Sequence, residues 1–306
     1  MRHVTVLLKE VVQVIAPRDR GRYFDGTLGG GGHAQAILEA CTPSGMLAGT
    51  DLDSDAILML AETFKPFGSR AHFFGGNYTS IDTVCTTLGW DSLSGIVLDL
   101  GVSSFQLDIT QKGFSFSREA PLDMRFGPEA ELSAYEVVNR YNEEELARVI
   151  WEYGEERFSR RIARKIAENR PVETTTALAG LIAAAIPRKL WPVNIHPATK
   201  TFQAIRIEVN QELDNLREFL PKAASLLEPG GVMAVISFHS LEDRIVKQFF
   251  AGPVPDVSAR GIPVLIETDL SIMERITKKP VLPSPGEIEA NPRSRSAKLR
   301  AARRKR

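Results

Sequence analysis

Apolar and polar positions fall into alternating blocks along the first 107 residues. Arg22–Asp25 is a short strand-like run that ends in an acid, directly before a run of glycines. His33–Ala40 has helical spacing, and Pro43-Ser-Gly45 supplies a turn. Met46–Asp51 then reads as a strand, Asp55–Thr63 as a helix and Ala71–Phe74 as a strand. Ile96–Leu100 is a buried strand interrupted by Asp99. Strand–helix alternation of this kind predicts βαβ units on a parallel sheet, an α/β fold.

From about Asp108 to Thr201 the pattern changes. A loop rich in Gly, Pro and Phe runs from Gly113 to Pro128. Asn142 with Glu145 three residues on forms a capping-box signal, followed by the stripe Leu146, Val149, Ile150 and Tyr153. Phe158, Ile162 and Ile166 form a second stripe. Leu178, Leu181, Ile182 and Ile186 form a third, stopped by Pro187. With no strand signal, this segment reads as an all-helical insertion. Phe202, Ile205, Val209, Leu213, Leu216 and Leu220 then predict one side of a long helix, and Val232–Ser237 a strand. The expected division is a discontinuous α/β domain, residues 1–107 and 202–306, around a helical substrate-recognition domain, residues 108–201.

No apolar run approaches the ~20 residues that span a bilayer. Val4–Leu8 is cut short by Lys9 and Glu10, unlike a signal peptide. A cytoplasmic protein is expected. Cys41 and Cys85 lie far apart without zinc spacing, so buried thiols and no metal are expected.

Charge at first argues against a nucleic-acid partner, because 38 basic side chains balance 38 acidic ones. Position reverses that reading. Residues 291–306 hold eight basic side chains and no acid, leaving a net charge of −8 on the rest. Arg157, Arg160, Arg161, Arg164 and Lys165 fall on one helical side, readable as an RNA contact or as a solvated surface balanced by Glu155, Glu156 and Glu168.

The chemistry centres on two segments. Asp25-Gly-Thr-Leu-Gly-Gly-Gly-Gly-His33 places a glycine loop between a strand and a helix, where a cofactor can approach the backbone. Asp51 and Asp53 follow about 20 residues later, suited to ribose hydroxyls; capping of the next helix is the alternative. No Gly-Lys-Ser/Thr phosphate loop is present. Carboxylates around the loop suit a cationic cofactor better than a pyrophosphate, which favours S-adenosylmethionine over a nicotinamide dinucleotide. The second segment, Asp99-Leu-Gly-Val-Ser-Ser-Phe-Gln-Leu-Asp108, lies at a strand's carboxyl end, where open α/β sheets bind ligands. An acid in an apolar run must be paired or functional.

These two segments, with His3–Leu8, Gly113–Phe116, Pro121–Arg125, Tyr153–Phe158, His196–Ile207, Ile236–Lys247 and Asn291–Arg300, resemble the ribosomal RNA small subunit methyltransferase H family along nearly the whole chain. The resemblance implies a class I, Rossmann-like S-adenosylmethionine-dependent methyltransferase domain with an inserted helical domain. It implies methylation of N4 of cytidine 1402 in the decoding region of 16S rRNA, with the small ribosomal subunit as partner. It carries cofactor contacts onto Gly31, Gly32, His33, Asp51, Tyr78, Asp99 and Gln106. Tyr78 stands where the family often has Phe, keeping an aromatic face for adenine. Lys200 stands for the family's usual Arg, keeping charge but losing a bidentate fork.

Asp99 is the candidate catalytic group, as acceptor for the exocyclic amine. His239 could line the pocket or be structural. Phe114, Phe116 and Phe126 could stack a flipped-out base or anchor their loop. The basic tail from Arg293 is the leading candidate for RNA contact. The sequence does not set the oligomeric state and admits a homodimer. A dehydrogenase lacks its second half-site here, and a non-catalytic RNA-binding factor would not need intact cofactor motifs.

Overall fold

The structure is a computed structural model and describes residues 5–101, 112–128, 130–193, 195–252 and 272–305. The chain divides into two compact units, residues 1–101 with 213–306, and residues 102–212. Among the described residues no helix is long and apolar enough to cross a membrane.

The first unit is built on a seven-stranded sheet. Its strands are β1 (Arg22–Asp25), β2 (Met46–Asp51), β3 (Ala71–Gly75), β4 (Leu93–Asp99), β5 (Leu227–Ser237), β6 (Met273–Arg275) and β7 (Lys298–Arg304). The spatial order is β3-β2-β1-β4-β5-β7-β6. The first five strands run parallel, and β7 is antiparallel to both β5 and β6. The order reverses between β1 and β4, and such a switch point opens a crevice at the strands' carboxyl ends. In β4 the apolar run is continuous because both faces are covered: Ile96 and Leu98 pack on one side, Val97 on the other. Helices α1 (Leu8–Ile15), α2 (Gly32–Ala40) and α3 (Ser54–Thr63) contribute to one core. On the opposite face, α4 (Ile81–Leu88) supplies Ile81, Val84 and Cys85.

The second unit contains α5 (Ala134–Arg140), α6 (Glu143–Gly154), α7 (Ser159–Ala167), α8 (Thr175–Ala185) and α9 (Thr199–Asn210). Its core joins Leu146, Ile150, Ile162, Ile166, Leu178 and Ile182 with Phe202, Ile205 and Val209. The Asn142–Glu145 capping box forms as its spacing predicts. Phe116 meets Phe202 edge-on at 5.0 Å and His196 at 4.7 Å, and Phe114 stacks on Phe126 at 5.5 Å. Phe114 and Phe116 thus pack against this core and anchor the loop.

One expectation requires correction. The single helix expected through Phe202–Leu220 is two helices, α9 and α10 (Glu212–Leu226), separated by Gln211 in the left-handed conformation at φ 50°. Arg206 clamps the break, reaching Glu212 with two hydrogen bonds of 2.7 and 2.8 Å. Asn210 reinforces it by donating to Met124 O and accepting from Phe126 N–H. The periodicity survives the turn, so the pattern hides it.

Most of the basic tail is built into the sheet. Residues 298–304 form β7, between β5 and β6. Leu299 and Ala301 enter one core and Ala302 the other. Arg300 is buried and forks onto Asp243 at 2.6 and 3.1 Å, while Arg304 donates to the carbonyls of Ser225 and Leu227. Asn291 precedes a 3-10 turn, Pro292–Ser296.

Candidate active site

Three parallel strands end in acids. Asp25 closes β1, Asp51 closes β2 and Asp99 closes β4, so the switch point is rimmed by carboxylates. Asp25 is 1% exposed. One of its oxygens accepts the Thr27 N–H at 3.1 Å; the other, Oδ2, is buried with no hydrogen-bond partner. Burial, with Asp51 nearby adding to it, pushes the Asp25 carboxyl up to about 7 against the pull of the Thr27 hydrogen bond. Asp99 is held by its own backbone N–H, which donates to Thr27 Oγ1 at 2.6 Å. Its Oδ1 is likewise buried and unpartnered. Burial, then the charges of Asp25 and Glu242, raise it well above the usual carboxylate range. Among the described residues neither Asp25 nor Asp99 is paired with a Lys or Arg.

His33 stands in the first turn of α2, 4% exposed. Its Nε2 lies 3.0 Å from Val6 O, so that nitrogen carries the proton. Its Nδ1 faces Asp99 Oδ2 at 3.9 Å. Asp51 is tied to the glycine loop: it accepts the Gly29 N–H at 2.7 Å and the Asp53 N–H at 2.9 Å. Asp53 itself caps α3 by accepting from Asp55 N–H, so the capping role is present alongside the rim position.

The glycines answer first to the chain's own packing. Gly31 has φ 76°, and a Cβ there would sit 2.5 Å from Leu60 and 2.8 Å from Phe64. A Cβ on Gly32 would sit 1.8 Å from Thr5 Oγ1. Tyr78 follows β3, packs edge-on against Phe219 at 5.1 Å, and has its Cβ 2.9 Å from where a Cβ on Gly26 would lie. Tyr78 therefore borders the glycine loop at Gly26.

The structure thus brings Gly31, Gly32, His33, Asp51, Tyr78 and Asp99 to one end of the sheet. Gln106 lies outside the described residues. His239 has a structural role: its Nδ1 caps α11 (Ser240–Ala251) by accepting from Glu242 N–H, and Glu242 returns by accepting from His239 N–H. Lys200 donates to Glu155 O at 3.0 Å, satisfying a carbonyl at the end of α6. Thr27 was not among the residues expected to form the site. It bridges Asp25 to Asp99, which lies 72 positions beyond Thr27, and spacing alone does not reveal this.

Two buried, unpartnered carboxylate oxygens beside a glycine loop fit a cationic ligand bearing N–H or O–H donors. They do not fit a pyrophosphate, which like charge would repel. With the strand order 3-2-1-4-5-7-6, this site defines a class I, Rossmann-like methyltransferase whose cofactor is S-adenosylmethionine. The chain belongs to the MraW methylase family, whose profile matches residues 1–305. It is 47% identical to the Ribosomal RNA small subunit methyltransferase H of Geotalea uraniireducens, over 98% of this chain and 97% of that one. It is 48% identical to the protein of the same name from Syntrophotalea carbinolica, over 99% and 98%. The one from Dehalococcoides mccartyi is also 48% identical, over 99% of this chain and 86% of its own length.

Proposed function

We propose that this methylase modifies N4 of cytidine 1402 in the decoding region of 16S rRNA, acting on the small ribosomal subunit in the cytoplasm. Support comes from the names of its full-length relatives and from one structural observation: the buried, unpartnered Oδ1 of Asp99, a half-buried residue at the end of β4. S-adenosylmethionine supplies an electrophilic methyl group when bound.

An exocyclic cytosine amine is a weak nucleophile because its lone pair is delocalised into the ring. The protein must hold it in line with the methyl group and accept its N–H as the nitrogen gains positive charge. In this reading Asp99 is that acceptor. Thr27 fixes the backbone of Asp99, and His33, anchored to Val6, limits where its carboxylate can turn. A cation held beside Asp25 and Asp99 would offset the burial that raises both carboxyls and would favour the charged, accepting form of Asp99. Asp51 and the Gly29 N–H set the shape of the ribose side, and Tyr78 gives a flat surface for adenine.

The direct test is methyl transfer from labelled S-adenosylmethionine to small subunits, followed by mass mapping of the nucleosides. N4-methylcytidine at 1402 is expected; label at another base or atom overturns the reading. Asp99→Asn is expected to lower kcat by ~10²-fold or more while the protein still folds. A variant that keeps its full kcat removes Asp99 from the chemistry.

A further inference from the structure

The helical unit carries a strongly charged stripe that the site above does not use. Residues 157–165 hold five basic side chains and no acid. Ser159, Ile162, Ala163 and Ile166 are the buried side of α7. Arg160, Arg161 and Arg164 are exposed, three and four residues apart, so they line the opposite side, and Arg157 is exposed in the turn just before the helix.

Nearby acids do not neutralise this stripe. Glu156 turns inward, 6% exposed, and accepts the Phe158 N–H at 2.9 Å. Glu143 reaches Arg164 alone, at 3.4 Å. The Arg157 guanidinium lies over the Phe158 ring, 4.8 Å from its centroid. Among the described residues Arg157, Arg160 and Arg161 have no ion pair.

The stripe does not serve the helix either. Like charges three and four apart repel one another. The first turn of α7 holds no acid, and Phe158 at the N-cap provides no side-chain cap. Arg160 and Arg161 therefore sit at the positive end of the helix dipole, where cations are disfavoured. Four of the five cations are arginines, whose planar forks match phosphate oxygens bidentately. Unneutralised guanidiniums in a row, costly to their own helix, complement a polyanion.

We infer that Arg157, Arg160, Arg161 and Arg164 form the surface on which residues 102–212 grip the phosphate backbone of RNA. The inference rests on rRNA being the substrate. The test uses the full chain carrying Arg157→Gln, Arg160→Gln and Arg161→Gln together. Affinity for a 16S rRNA fragment is measured across a salt series. The slope of log affinity against log salt should shrink by about two, ~0.7 for each lost phosphate contact, and affinity near 0.15 M salt should fall by roughly tenfold. Affinity for S-adenosylmethionine should stay unchanged, and the melting temperature should hold or rise as repulsion is relieved.

Arg18→Gln with Arg20→Gln, two exposed cations of the other unit, should leave the slope as in the parent. An unchanged slope and affinity in the triple variant overturns the inference. So does a loss seen with assembled subunits but not with naked rRNA, which would assign the stripe to an acidic protein surface. The two readings fail separately. Methylation at another base with a reduced slope in the variant removes only the 1402 assignment. Methylation at 1402 with an unaltered slope removes only the stripe.

Discussion

Asp25 is the residue on which the site's electrostatics turn. Its carboxyl titrates near 7 in the fold against an ordinary value of 3.8, chiefly because it is buried. The folded protein therefore holds this proton over a range in which the unfolded chain has released it. Stability from this group is full below pH ~4 and is lost as pH rises toward ~7, levelling off above. Asp25→Asn removes the charge and keeps the shape. Without cofactor, its stability relative to the parent should grow from pH 5 to pH 8, by an amount of order 2–4 kcal/mol. Thermal melts across pH read this directly; a difference that does not vary with pH contradicts it. The same variant should gain less melting temperature from added S-adenosylmethionine, since a partner for the cation is gone. The acids were legible in the sequence, because each interrupts or ends an apolar run. Thr27 was not, because its role exists only once β1 and β4 lie side by side.

At the scale of elements, the parallel strands and the helical stripes could be read from periodicity, since burial on two faces or on one stripe leaves a direct trace. The closing strand could not. Lys-Leu-Arg-Ala-Ala-Arg-Arg is made of good helix formers, and β7 is extended only because β5 and β6 supply its hydrogen-bond partners. Gln211 hides a helix break for a related reason: it adopts φ 50° without being glycine, held by the Arg206–Glu212 clamp. The position of β7 changes what a truncation reports. A chain ending at residue 292 loses Leu299, Ala301 and Ala302 from two cores and exposes the edge of β5. It should fail to give a cooperative melt or remain insoluble. Arg295→Gln with Arg303→Gln, both exposed, should melt within about 0.5 kcal/mol of the parent. A truncated chain that melts cooperatively near the parental temperature would show β7 to be dispensable.

Over the whole molecule, zero net charge is not the sum of one acidic and one basic unit. Residues 102–212 hold 15 basic and 16 acidic side chains, so each unit is itself close to neutral, and the cationic character lies in local stripes. The apolar residues divide more sharply. Among the described residues, every buried residue of the helical core lies between Leu122 and Val209, and the buried residues of both cores on the sheet come from residues 1–101 and 213–306. A hydrophobic core confined to one continuous segment of roughly 110 residues meets the size at which domains fold alone. The α/β unit has no such continuous piece: β1 to β4 precede the helical segment, while β5 and β7 follow it. Residues 102–212 expressed alone should therefore show helical circular dichroism and one cooperative thermal transition. Residues 1–101 alone lack the strand that covers β4 and should not. A gradual, non-cooperative melt of the 102–212 fragment would mean that its core depends on the α/β unit. A cooperative one would let the arginine stripe be titrated with RNA free of the methylation site.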